Sequence, residues 1–171
     1  MQEFSGSRIL VVGGAGFVGS NLVRQLLDAD VDQIVIVDNL LSAERSNVSD
    51  DPRVELIAES ITNDNVLAAL ADDFDYAFHL ATLHGNQSSM HDPLLDHENN
   101  TLTTLKLCER LKHFKRLKRI VYASAGCTVA EKTFDDAQAS TEDAKISLYY
   151  DSPYQISKII GELYLNYYYH Q

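Results

Sequence analysis

Tryptophan is absent from these 171 residues, and there are only two cysteines, three prolines and two methionines. Cys108 and Cys127 stand alone at no metal-binding spacing, which argues against a disulfide framework or a metal site and suits a reducing compartment. No apolar run approaches the about 20 residues needed to span a bilayer, and Met1-Gln2-Glu3-Phe4 lacks the basic and apolar regions of a signal peptide. Positive charge is scarce: 14 lysines and arginines face 25 acids, and the net charge of −11 opposes nucleic acid or an anionic membrane as the main partner. Internal repeats are missing, as is low complexity apart from Tyr167-Tyr168-Tyr169. These absences leave the expectation of a cytoplasmic protein of one domain, able to bury about two thirds of its unfolded surface without staples.

What is present is organised around Arg8 to Asn21. The run Ile9, Leu10, Val11, Val12 has the length of a buried parallel strand, and Phe17, Val18, Leu22, Val23, Leu26 and Leu27 recur at helical spacing. Gly13, Gly14, Gly16 and Gly19 lie at the junction. A strand turning straight into a helix aims free backbone N–H groups and the positive end of the helix dipole at whatever sits above the turn, and a pyrophosphate fits there. The alternative is a strand-to-helix turn without a ligand. A second apolar run, Gln33 to Asp38, ends in an acid about 20 residues beyond the glycines, where a carboxylate accepts hydrogen bonds from ribose hydroxyls. Such an acid repels a 2′-phosphate and favours NAD over NADP; Arg45 keeps the NADP alternative open.

Further along, Val54 to Ala58, Asp75 to Ala81 and Arg119 to Ser124 read as strands. A helix is expected from Gly16 to Asp30, a short one from about Asn65 to Ala71, and a long one from about Pro93 to His113 with Leu102, Leu105, Leu107 and Leu111 as its apolar stripe. Residues 82–92 read as a polar loop, either touching nicotinamide and substrate or simply solvated. The basic stretch Lys112 to Arg119 suits a helix C-terminus better than a nucleic-acid patch. The connection from Ala125 to Asp151 is long enough to suggest a lid or substrate loop. A last helix, about Ser152 to Tyr169, carries Tyr154, Ile156, Ile159, Ile160, Leu163, Tyr164 and Tyr167 as apolar positions. The alternation of strand and helix predicts parallel βαβ units in an open three-layer α/β/α sheet, order 3-2-1-4-5.

Tyr154 and Lys158, four apart on that helix, share a face. Taken alone they are a surface pair or a proton-transfer pair. For the second role the phenol must ionise about three units below its usual pKa of about 10, a shift that a neighbouring ammonium and an oxidised nicotinamide favour.

Gly13-Gly-Ala-Gly-Phe-Val-Gly19, Asp38-Asn39, His79-Leu-Ala81, Asn100-Thr-Leu-Thr-Thr-Leu105 and Ser152-Pro-Tyr-Gln-Ile-Ser-Lys158 before Gly161-Glu162 resemble, in order and spacing, the extended short-chain dehydrogenase/reductases, and most closely their nucleotide-sugar epimerase and dehydratase branch. The resemblance runs from about residue 7 to the end. It implies a Rossmann-type fold binding NAD, and transient oxidation of a nucleotide-sugar hydroxyl. Tyr154 matches the catalytic base and Lys158 the lysine that lowers its pKa and holds the nicotinamide ribose. Asp38 matches the ribose-binding acid and Asn100 the structural asparagine of the long helix. Gly13, Gly16, Phe17, Val18, Gly19, Asn39, Leu80 and Ala81 fall where the family lines the cofactor.

Two positions depart from the pattern. The third catalytic residue, a Ser or Thr after the fifth strand, is Ser124 if the loop is one residue longer than usual, or else Thr128; Cys127 beside it reads as packing rather than a nucleophile. Ser60 stands where many relatives place an adenine-binding Asp, and Ser60-Ile61 offers a hydroxyl and an apolar wall instead. Relatives of this type continue well past the last residue here, so residues 1–171 read as the NAD-binding domain of a longer enzyme whose substrate domain is absent. A homodimer through the long helices is a further expectation. The competing reading is a non-catalytic NAD-binding module that senses redox state.

Overall fold

The computed structural model describes residues 2–83, 85–126, 141 and 150–171; Cys127, Thr128 and most of the 125–151 connection lie outside these. The described strands are β1 (Arg8–Val12), β2 (Gln33–Val37), β3 (Val54–Ile57), β4 (Tyr76–His79) and β5 (Arg119–Tyr122). The described α-helices are α1 (Phe17–Asp28), α2 (Asp64–Ala69), α3 (Asn86–His91), α4 (Pro93–Asp96), α5 (Thr103–Leu111) and α6 (Pro153–His170). Two compact units divide the chain: Met1–Thr82 with Thr103–Ala123, and Leu83–Leu102 with Ser124–Gln171.

The first unit holds the whole sheet, all parallel, in the order β3-β2-β1-β4-β5 expected from the sequence. The packing of β1 explains why the four residues after Arg8 are all apolar. Leu10 and Val12 enter a core with Val66 and Leu67 of α2 and Leu107 and Leu111 of α5, while Ile9 and Val11 enter another with Val23 and Leu26 of α1. A strand covered on both faces has no solvent side and loses the usual alternation. Each such aliphatic side chain contributes about 1.5–3 kcal/mol on burial. Strand order reverses at β1, which lies between β2 and β4, and Val12 is in register with both Val37 and His79. Open parallel sheets place their ligand crevice at such a reversal, beyond the carboxyl ends of the strands.

The helix stripe expected from leucine spacing is corrected. Thr104, Leu107, Cys108 and Leu111 are buried, whereas Leu102 and Leu105 are half-buried. Residues His97–Leu102 wind as a π-helix, whose wider i→i+5 turns change the face presented by everything after them. The basic stretch is also more than a response to a helix dipole: Arg116 and Lys118 both reach Asp75, at 3.0 and 3.3 Å.

In the second unit, α6 corrects a further expectation. Ile156, Leu163 and Tyr167 are exposed, and the buried positions are Gln155, Ser157, Lys158, Ile159 and Gly161. Ser89, Asp96, Asn100, Thr101 and Ser152 of this unit are buried too. Buried polar side chains carry more information than exposed apolar ones, because each must be held by a partner. Among the described residues no helix is long and apolar enough to cross a membrane.

Asp75 is buried, so desolvation alone would raise its pKa; the Arg8 backbone N–H, a hydrogen bond from Lys118 and the charge of Arg116 outweigh this and leave it below the usual carboxylate value. A folded pKa below the unfolded one gives stability that is present above the unfolded value of about 3.9 and is lost as pH falls through the folded one. Asp75→Asn is therefore expected to cost about 1–3 kcal/mol at pH 7, with the gap to the parent chain narrowing below about pH 4. Urea unfolding at pH 7 and pH 3.5 checks this; a gap that does not change with pH contradicts it.

Candidate functional site

The glycine turn grows out of β1. Gly13 has a φ of +85°, and a Cβ placed there would lie 2.4 Å from the Ala81 nitrogen and 2.8 Å from the Leu80 carbonyl carbon. The chain leaving β4 presses on this point because the Leu80 and Ala81 N–H groups both donate to the Val12 carbonyl, at 2.8 and 2.9 Å. A Cβ on Gly19 would lie 2.2 Å from the Gly13 carbonyl oxygen, so α1 lies close on the turn through that residue. Gly16 differs: its added Cβ would meet only the Gly13 oxygen, at an ordinary 3.5 Å. It is the N-cap of α1 and brings no side chain to the helix's first N–H groups. Phe17 and Val18, expected as part of an apolar stripe, are 86% and 63% exposed at that end.

Asp38, directly after β2, accepts the Ala15 N–H and the Leu40 N–H, each at 2.9 Å, on its two carboxylate oxygens. Each oxygen retains acceptor capacity toward a ligand hydroxyl. Asn47 donates its Nδ2 to the Ala15 carbonyl at 3.0 Å, so the Ala15 peptide is gripped on both sides. Sequence reading missed Asn47, whose only signal is its place in the polar stretch after Asp38. Asn39 is exposed and accepts the Leu41 N–H. Ser60 bonds Thr62 through its hydroxyl and also accepts the Thr62 N–H. Ile61 does not form a wall with its side chain: it is 2% exposed within the core. Below Leu80 and Ala81, the buried His79 meets the Thr104 hydroxyl at 3.0 Å.

The second unit places the other candidates. Ser152 caps α6 by accepting the Gln155 N–H, and Pro153 takes the first helical position, where its missing donor costs nothing. Lys158 is 2% exposed, with Nζ 5.8 Å from the Tyr154 ring centre. Asn100 donates Nδ2 to the Leu83 carbonyl at 2.9 Å and to Asp96 at 2.7 Å, and accepts the Leu83 N–H at 2.8 Å. It is a backbone clamp on the segment just after Ala81. Ser124 donates its hydroxyl to Glu162 of α6. Thr128, its rival, is outside the described residues. Residues 86–91 of the expected polar loop are helical, as α3, and its buried Ser89 accepts the Tyr154 N–H at 3.1 Å.

The first unit can hold a pyrophosphate at an uncapped helix start and a ribose at Asp38. The second carries a phenol and an ammonium on one helix face, the elements of proton transfer. Comparison with known proteins bears on both. The model of the NAD dependent epimerase/dehydratase family matches residues 9–171. A UDP-glucose 4-epimerase of Mycolicibacterium smegmatis is 32% identical over 165 residues, which are 94% of this chain and 51% of that protein. Bordetella bronchiseptica WbmF, solved in complex with NAD+ and UDP, is 56% identical with a TM-score of 0.88, covering 100% of this chain and 47% of that one. The Thermotoga maritima UDP-glucose 4-epimerase, solved with UDP-glucose, is 27% identical with a TM-score of 0.82, covering 96% and 52%. The chain thus spans about half the length of the relatives it matches.

Proposed function

The chain belongs to the NAD-dependent epimerase/dehydratase family, and from that membership we propose that it supplies the NAD-binding part and the proton-transfer residues of a nucleotide-sugar epimerase or dehydratase. The observation that carries this reading is Lys158, an ammonium 2% exposed and placed beside Tyr154 on one helix. A lysine is rarely buried so fully without a task, and a positive charge held beside a phenol favours the phenolate.

The residues present fit the cofactor. Gly13 and Gly19 are required by the protein's own packing, whereas the space over Gly16 is left open at the uncapped start of α1. The pyrophosphate would sit there, against the Phe17 and Val18 N–H groups, with the adenosine ribose on Asp38 and Asn39, and the adenine near Ser60 and the Ile61 backbone. Leu80 and Ala81 would line it with backbone atoms. Bound so, NAD would accept a hydride from a sugar carbon and later return it. Tyr154 would take the proton from the sugar hydroxyl, and Lys158 would keep the phenolate charge favourable and hold the nicotinamide ribose. UDP-sugars are the proposed substrate class, since relatives are solved with UDP or UDP-glucose. A homodimer through the long helices would use α6, whose Ile156, Leu163 and Tyr167 are exposed.

Calorimetry is expected to show NAD+ binding to the chain with NADP+ at least tenfold weaker, because Asp38 repels a 2′-phosphate. Assays with UDP-glucose and UDP-N-acetylglucosamine on the longest form of the protein that carries this chain then test the chemistry. NAD+ binding without turnover favours the non-catalytic module; failure to bind NAD+ overturns both readings.

A further inference from the structure

We propose that Ser89 is a positioning residue for Tyr154, and that α3 is the brace that keeps the first turn of α6 from fraying. The first four N–H groups of a helix have no partner within it. In α6, Pro153 has no N–H to satisfy and the Gln155 N–H is accepted by the Ser152 hydroxyl at 3.4 Å, while the helix's own first bond runs from the Ile156 N–H to the Ser152 carbonyl at 3.4 Å. The Tyr154 N–H is met from another helix, by the Ser89 hydroxyl oxygen at 3.1 Å. That oxygen is itself oriented: the Ser89 proton goes to the Asn86 carbonyl at 2.8 Å, which turns a lone pair toward Tyr154. A second link fixes the same two helices, since the Ser152 hydroxyl donates to Asn86 Oδ1 at 3.0 Å. Ser89 and Ser152 are both buried, so water does not compete for these bonds.

The consequence is for chemistry. A base on the first turn of a helix sits where helices open most easily, and proton transfer is sensitive to small displacements of the transferring atom. Ser89 acts by holding the Tyr154 backbone. This rests on Tyr154 being the base proposed above.

On the chain itself, amide exchange read by NMR is expected to quicken about tenfold at Tyr154 in Ser89→Ala, and to change less than about twofold at Gln155, whose amide Ser152 holds. In the longest form of the protein that carries this chain, kcat is expected to fall about tenfold while KM and NAD+ affinity stay within about twofold, and Ser89→Ala adds no further loss in a Tyr154→Phe background. Should Ser89→Ala not fold, Ser89→Cys preserves the volume with a far weaker acceptor. Equal exchange at Tyr154 with and without the hydroxyl overturns the proposal, as do losses that multiply in the double variant. Absence of NAD+ binding or turnover in the parent protein defeats the functional reading instead, and the Tyr154 exchange rate then still decides whether Ser89 holds that amide.

Discussion

Gly13→Ala is expected to destabilise the sheet-bearing unit by about 2–6 kcal/mol, a large share of the about 5–15 kcal/mol that holds a domain folded. Two separate costs combine. At φ +85° an L side chain is strained by about 1–3 kcal/mol, and the new methyl would sit 2.4 Å from the Ala81 nitrogen, a backbone atom that cannot swing aside. Forcing the two chain segments apart adds about 1–3 kcal/mol and stretches the two bonds that tie Leu80 and Ala81 to Val12. Gly16→Ala is the matched control, since its methyl meets only an oxygen at 3.5 Å. It should leave urea unfolding nearly unchanged while weakening NAD+ binding. Similar unfolding midpoints for the two variants would contradict this account of the turn.

Tyr154→Phe is expected to lower turnover about 10²–10⁴-fold, the usual contribution of a positioned acid–base group. The change removes one oxygen and preserves the ring that faces Lys158 at 5.8 Å, so the fold and the NAD+ affinity should stay as they were. Steady-state rates and calorimetry on the same preparation decide it. Turnover within about threefold of the parent would remove Tyr154 from the role of base.

The sheet order was legible because five apolar runs and the glycine turn are local patterns, each readable within a few residues. The buried β1 could be recognised from Ile9 to Val12 alone, and the acid at Asp38 from its place after the next run. Other features depend on groups far apart in sequence. α3 has the sequence Asn-Gln-Ser-Ser-Met-His, too short and too polar for helical periodicity to show. The π winding at His97–Leu102 carries no composition signal, and Leu102 and Leu105 are half-buried where the leucine spacing predicted a buried stripe. Ile61 was misjudged because an apolar residue beside a ligand and one in a core look the same in a sequence. Ser89, Asn47 and Asp96 were missed because their partners, Tyr154, Ala15 and Asn100, are set by folding; only Asp96 is within one helical turn of its own.

The two hydrogen bonds that Asp38 accepts from the Ala15 and Leu40 amides have a consequence for protein engineering. Switching such a site to a phosphorylated cofactor ordinarily begins by removing the acid at this position. Here the same carboxylate anchors the glycine turn, so a small apolar replacement would leave two amides unanswered and loosen the turn before any new affinity could be gained. On the proposed NAD-binding reading, one side chain serves both preference and rigidity. A successful switch must replace the acceptors for both amides, of which the single side-chain oxygen of Asp38→Asn matches only one, and add a cation drawn from the neighbouring polar segment.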